Sequence, residues 1–361
     1  MSQFCSAQKA RIASHVCVTL CILLFLSPCF ASDGPSNPKP GNQIISMSVN
    51  PRSIPPPTWR DFDKAVNLAV GAGIQGVVLT STWRSLEPSP QIYDLTQMKA
   101  AIDYFTARHL QIYLGIQPLN TVAKETPSDL LAAPFDSPMM MSRFHNLLDQ
   151  IKPLLSSDVK YISIGNEVDV YLDANPPEWA TYRVFYEDGL HYLHKNIPGM
   201  QVGVTTTYGA ASGPDLARIG ALNAKSDVFV LTYYPIHGDF QVNGPQSPLA
   251  DFTTMLTLSP RKPIVLQEVG YPSDPLDGSS ETQEAQFVTN AFSAWHAAGR
   301  KIRFMNYFLE HDFDKNTCAT LAKYYGLGGD AAFKAYLCSV GLRRAGGAAK
   351  PAWSSFVRGV P

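Results

Sequence analysis

Two glutamates stand where an acid is expensive. Glu167 closes the run Tyr161-Ile162-Ser163-Ile164-Gly165-Asn166-Glu167, and Glu268 closes Ile264-Val265-Leu266-Gln267-Glu268. A carboxyl at the end of an apolar strand is costly to bury without a purpose or a partner. Either one taken singly reads equally well as half of a structural ion pair. Two of them, 101 residues apart in the chain, suit the hydrolysis of a glycosidic bond. With about 5–5.5 Å between carboxyls, one attacks the anomeric carbon while the other protonates the departing oxygen. That acid must hold its proton near neutral pH, which apolar surroundings and a neighbouring carboxylate arrange by raising its pKa.

The elements that would bring them together are legible in the hydrophobic pattern. Short β-type runs at 44–49, 76–82, 111–117, 161–167, 201–207, 228–234, 263–268 and 302–308 alternate with longer helical patterns. Among the latter are 58–72, with Thr58 as N-cap and Gly73 past the end, 96–108, 139–155 and 280–298. Alternation of this kind implies parallel strands joined by right-handed crossovers. The first and last strand starts lie 258 residues apart, about 37 per unit, which predicts a single (β/α)8 TIM barrel in the α/β class. A doubly wound sheet is the alternative, but no Gly-x-Gly-x-x-Gly follows the first strand. In a barrel the strand ends converge on one mouth, so Trp83, Arg84, Gln117, Asn166, Glu167, Tyr208, Tyr233, Tyr234, Glu268 and Tyr307 are expected around it.

The remainder of the chain narrows the classes. It has 361 residues with 29 Lys+Arg against 30 Asp+Glu, a formal net charge of -1, and this balance argues against nucleic-acid binding. At 45% hydrophobic and 11% aromatic it can bury a large core, and disorder over most of its length is excluded. Lys9 and Arg11 precede the nearly uncharged run from Val16 to Leu26, short for a bilayer span but suited to a signal peptide, and Cys29-Phe30-Ala31 offers a cleavage site before Ser32. The alternatives there are a buried N-terminal helix and a lipoprotein box, the latter opposed by Pro28 before Cys29. The expected organisation is a signal peptide at 1–31, a Pro/Ser/Gly/Asn linker at 32–43 and a catalytic barrel at 44–361. Such a protein is secreted or periplasmic, with no membrane attachment after cleavage, and is read as a monomer. Four of the six cysteines fall in the removable segment, so Cys318 and Cys338 are expected to be joined in a C-terminal extension. No zinc motif is present, and His191 and His194, three apart on a helical pattern, lack a third ligand. Neither metal nor cofactor is expected.

Ile164-Gly165-Asn166-Glu167 and Leu266-Gln267-Glu268-Val269-Gly270-Tyr271-Pro272-Ser273 resemble the two signature segments of the retaining β-glycosidase superfamily of (β/α)8 barrels, glycoside hydrolase clan A. The resemblance implies Glu167 as acid/base, Glu268 as nucleophile and Asn166 as a partner for the sugar 2-hydroxyl. Tyr233-Tyr234-Pro235 resembles the tyrosine segment of endo-β-galactanases and β-1,3-glucanases, whose tyrosine supports the nucleophile. Trp83-Arg84-Ser85-Leu86-Glu87-Pro88 resembles a segment common after strand 2. Two departures stand out: Thr80 and Ser81 occupy the place of the clan's strand-2 arginine, and Asn306-Tyr307-Phe308 stands where strand 8 usually ends in tryptophan.

Flat side chains stack on the apolar faces of pyranose rings, so Trp83, Tyr208, Tyr234, Tyr271 and Tyr307 are candidates for the sugar site, each equally readable as a wall aromatic. The partner expected is an oligo- or polysaccharide, a β-glucan or β-galactan, cleaved by double displacement. Two rivals remain open. A non-catalytic carbohydrate-binding barrel would not need both glutamates. A metal- or phosphate-dependent lyase or aldolase would need a strand-end lysine or ligand set, whereas Lys262 precedes its strand and belongs to the opposite face.

Overall fold

The computed structural model describes residues 43–361; the expected signal peptide, and the linker apart from Gln43, lie outside the described residues. Eight parallel strands follow one another around a barrel. They are β1 (Ile44–Met47), β2 (Gly76–Thr82), β3 (Gln111–Asn120), β4 (Val159–Asn166), β5 (Gln201–Gly203 and Thr205–Thr207, broken at Val204), β6 (Phe229–Tyr233), β7 (Ile264–Val269) and β8 (Ile302–Tyr307). Neighbours pair in chain order, and β8 returns to β1 with Ile44 opposite Phe304 and Met47 opposite Tyr307. The one addition is a hairpin: β3 overruns its expected end, turns through Thr121 at φ 46°, and pairs with Ala123–Lys124.

Period-two alternation sorts the strands into two apolar populations. Ile44, Tyr113, Tyr161, Val228, Val230, Val265 and Phe304 fill the barrel interior. Their neighbours in sequence, among them Ile45, Ile112, Leu114, Ile162, Leu231 and Leu266, face the helices in a larger continuous core. Near the mouth the interior turns polar: Ser46 bonds Asn306 at 2.7 Å, and the Tyr113 hydroxyl donates to Gln267 Oε1 at 2.9 Å.

The helices start where their capping residues say. Ser280 caps Glu281–Ala298 through the Gln283 amide at 3.3 Å, and at Thr58 both the amide and the hydroxyl donate to Asp61, at 2.9 and 2.7 Å. The helix expected over 139–155 ends as Pro138–Ile151 and tightens into a 3-10 turn, Lys152–Leu154. Pro153 is the cause, since it lacks an N–H to continue the ladder and its ring crowds the carbonyl one turn back, while Lys152 itself stays helical at φ -47°, ψ -45°. After β8 the chain builds a hairpin of helices, Lys315–Tyr324 and Ala331–Leu337, then sends Pro351–Gly359 back against Glu281–Ala298, where Phe356 meets Phe292 edge-on at 5.4 Å. Cys318 and Cys338 are joined, with their α-carbons 5.8 Å apart. Among the described residues, no helix is long and apolar enough to cross a membrane.

Candidate active site

Strict alternation would put Asn166 on the helix side of β4 and Glu268 on the helix side of β7. Two local devices turn both residues into the mouth. Gly165 adopts φ 93°, and a Cβ there would lie 2.3 Å from the Tyr182 hydroxyl and 2.4 Å from Val168, so only glycine fits. Glu167 follows at φ 43°, at the head of the short helix Val168–Ala174. On β7 the register with β6 jumps from Leu231↔Leu266 to Thr232↔Glu268. The skipped residue, Gln267, makes this a bulge, a device that re-aims a side chain. Gln267 and Glu268 therefore both face inward.

The two carboxyls line one cavity of about 340 Å³, shared with Thr80, Gln117, Asn120, Glu125, Asn166, Phe308, Leu321, Tyr324 and Tyr325. Their partners are neutral. Glu167 accepts from the Thr232 hydroxyl at 2.7 Å and from Thr121 at 3.0 Å. Glu268 Oε2 accepts from the Tyr234 hydroxyl at 2.7 Å, and Oε1 has only the long 3.4 Å contact with Gln267 Nε2. That amide bridges the two sides of the mouth, for it also donates to Asn166 Oδ1 at 2.8 Å. Asn166 in turn donates to Asn120 Oδ1 at 3.1 Å.

Burial, followed by the negative charge of Glu268, raises the Glu167 pKa from 4.5 to about 7, against the lowering effect of the two threonine bonds. Burial also raises Glu268, while Tyr234 and Gln267 stabilise its ionised form. Burial thus raises both carboxyls, and their sharing of one cavity favours a single proton held between them. Thr121 and Thr232 suit either protonation state, because a hydroxyl donates to a carboxylate and accepts from a carboxylic acid by rotating its hydrogen.

The expected aromatic ring is largely corrected. Trp83 is fully buried, stacked near Phe185 and donating to Glu87 Oε2 at 2.8 Å. Arg84 bonds the Thr126 and Lys124 carbonyls at 3.2 and 3.1 Å and pairs with Glu125 at 3.7 Å, outside the cavity wall. Tyr208 and Tyr233 both donate to Asp251, at 3.1 and 2.6 Å, behind the barrel. Tyr271 stacks on Phe287 and donates to the Asn243 carbonyl at 2.7 Å. Tyr307 is buried beside Phe356 and points to Glu284. Strand parity explains Tyr233 and Tyr307: the inward positions are Thr232 and Tyr234 on one side and Asn306 and Phe308 on the other. Of the expected binding residues, Asn166 and Tyr234 reach the carboxyl pair. At the place of the absent strand-2 arginine, Thr80 and Ser81 line the cavity, and Glu268 is held by Tyr234 and Gln267.

Thr232 and Phe308 could have been found by parity. Thr121, Asn120, Tyr324 and Tyr325 come from a hairpin and an extension whose positions the pattern does not give. Of His191 and His194, the second pairs with Asp227 at 2.7 Å, and no group of metal ligands occurs among the described residues.

No protein-family profile matches the sequence, and no curated protein does. Solved structures do match in fold. The chain is similar to GH5_18 from Streptomyces cattleya in complex with GlcNAc, at 17% identity and TM-score 0.69, over 88% of this chain and 80% of that one. It is similar to an exo-beta-1,4-mannosidase from Opitutaceae bacterium strain TAV5, at 17% identity and TM-score 0.68, over 88% of this chain and 59% of the other. A beta-glucosidase structure aligns at 13% identity and TM-score 0.58, over 81% and 85%. At such identities the likeness is one of fold, and it agrees with the single barrel expected from the strand order.

Proposed function

We propose that the protein is a retaining β-glycoside hydrolase. The observation that carries this reading is the carboxyl pair in one cavity, one member raised to about 7 and the other bonded by a tyrosine. Glu268 Oε1, the oxygen with the weaker partner, attacks the anomeric carbon. The bond to the leaving oxygen breaks as Glu167 delivers its proton, and a glycosyl ester forms on Glu268. Glu167, now ionised, takes a proton from water, whose oxygen attacks the same carbon and frees Glu268. Asn166, fixed between Asn120 and Gln267, is placed for the sugar 2-hydroxyl, and Tyr234 holds the nucleophile in its attacking orientation.

We propose a β-glucan or β-galactan chain as substrate and the secreted or periplasmic space as the place of action. A β-mannoside is the second reading, favoured by structures of similar fold named for mannosidase activity or holding Manβ1-4GlcNAc. The test is hydrolysis of 4-nitrophenyl β-glucoside, β-galactoside and β-mannoside followed by proton NMR, with the β-anomer expected as first product. First release of the α-anomer would replace retention by inversion. Azide added to Glu167→Ala should give a β-glycosyl azide and added to Glu268→Ala the α-azide; the opposite pairing would exchange the two roles.

A further inference from the structure

The helical hairpin after β8 lies over the mouth and rests on both sides of it. On one side Tyr336 packs edge-on against Tyr234 at 5.6 Å, and Phe333 meets Phe240 of the loop after β6 at 4.8 Å. Cys318, Phe333, Tyr336 and Leu337 form a buried cluster there with Tyr234, Ile236 and Phe240 against it. On the other side Tyr324 reaches the β3 hairpin. Its hydroxyl accepts from Asn120 Nδ2 at 3.2 Å and lies 3.2 Å from Glu125 Oε1 and 3.3 Å from the Asn120 carbonyl oxygen. Residues 204 apart in the chain thus meet above the carboxyl pair.

The cavity has the shape this roof imposes. Leu321, Tyr324 and Tyr325 wall it from above, Glu167 and Glu268 form its floor, and among the described residues neither β5 nor β6 contributes to its lining. It continues instead along β2, past Thr80 and Ser81, to Trp59, Gln97 and Tyr104 between the helices Trp59–Gly71 and Thr96–Thr106. Its volume, about 340 Å³, is at the small end of the ~300–1,000 Å³ usual for small-ligand pockets. A polymer bound along its length needs a groove open at both ends.

We propose that the disulfide-clamped hairpin, residues 315–338, closes the cleft between the β3 and β6 sides, so that a β-linked glycan reaches Glu167 and Glu268 end-on over β2. Tyr324 and Tyr325 are then the residues that exclude the interior of a chain. The proposal rests on the glycosidase reading and adds the chain end as the substrate class. The β3 hairpin supplies the opposing wall through Asn120 and Glu125, and the Cys318–Cys338 bond keeps the two helices of the roof together.

The experiment uses the full chain with reducing-end-labelled hexasaccharides of β-1,4-mannose, β-1,4-galactose and β-1,3-glucose, the first products being read by mass spectrometry. On the chain it accepts, the wild type should shorten the labelled chain one sugar at a time from the unlabelled end, giving the labelled pentasaccharide first. Tyr324→Ala should raise the share of internal cleavage about tenfold, the discrimination one pocket contact commonly provides, and Tyr324→Phe should raise it less. Internal fragments from the wild type in the first turnovers would overturn the proposal. So would an unchanged product pattern from a Tyr324→Ala protein that melts like the wild type. If Tyr324→Ala does not fold, Tyr325→Ala is judged by the same criterion. Failure of the wild type on every hexasaccharide and every aryl β-glycoside would remove the glycosidase reading itself, an outcome distinct from internal cleavage.

Discussion

Two groups of buried acids sit in this barrel, and they are stabilised differently. In the mouth, Glu167 and Glu268 have hydroxyl and amide partners, no cation among the described residues, and a cavity in front of them. Behind β7 and β8, Glu284 and Asp312 surround Lys350, whose ammonium lies 2.8 Å from Asp312 and 3.4 Å from Glu284 and also donates to Ser273 and the Ser339 carbonyl. That cluster ties the loops after β7 and β8 to the C-terminal helix. Burial raises the carboxyl pKa in both groups, Glu284 and Asp312 included, against the lowering effect of Lys350. The difference is that the ammonium ties its acids to neighbouring segments, while neutral donors leave Glu268 with a weakly bonded oxygen facing a cavity. The same residue type therefore does opposite work according to its partner.

The largest effects should separate the groups cleanly. Glu268→Gln should lower turnover about 10⁴-fold or more, as loss of a nucleophile does. It should leave the melting temperature unchanged or higher, because burial already disfavours the charge it removes. Lys350→Met should do the reverse in kind, costing about 3–5 kcal/mol in denaturant unfolding by leaving the buried Asp312 carboxylate without its cation. A marked loss of stability in the first variant, or none in the second, would end the distinction.

The mouth was more legible in the sequence than this second cluster, for physical reasons. Strand-end acids contrast with the apolar residues before them, so Glu167 and Glu268 stand out, and eight β-runs at even spacing imply the barrel. The bulge at Gln267 and the left-handed Gly165 leave no periodic signature, since they act by breaking a period. Lys350, Asp312 and Glu284 belong to segments with no strand alternation to orient them, and they meet only through the return of the last helix. Strand-end aromatics taken as a class point Tyr233 and Tyr307 into the mouth; counting parity from Thr232 and Asn306 turns both outward.

The next effect is on pH dependence. Glu167 must be protonated to donate, so kcat/KM should fall as pH rises through about 7. The acid limb, set by protonation of Glu268, should lie below this. In Glu268→Gln the neighbouring charge is gone, and the Glu167 pKa, followed by carboxyl carbon NMR, should move down toward the ordinary carboxylate range. An unmoved value would mean that burial alone raises it and that the two carboxyls are not electrostatically paired.

The smallest expected effect concerns Glu310, the acid that tests whether burial without either kind of partner has a function or only a cost. It is fully buried, both its oxygens lack a hydrogen-bond partner in the structure, and burial raises its pKa from 4.5 to about 9 against the lowering influence of Arg343. The facing His311 Nδ1 lies 3.7 Å away, on an imidazole that burial lowers to about 4 and keeps neutral. Below pH 4.5 the carboxyl is protonated in the folded and unfolded chains alike, so no stability is lost. Between 4.5 and 9 the unfolded chain ionises while the folded one stays protonated, and stability falls as pH rises. Glu310→Gln removes that titration with little change of shape. Its stability, measured by urea unfolding at pH 5 and pH 8, should decline less across the interval than that of the wild type, with turnover unaltered. Equal declines would place the acid in contact with solvent or with a partner that ionises alongside it.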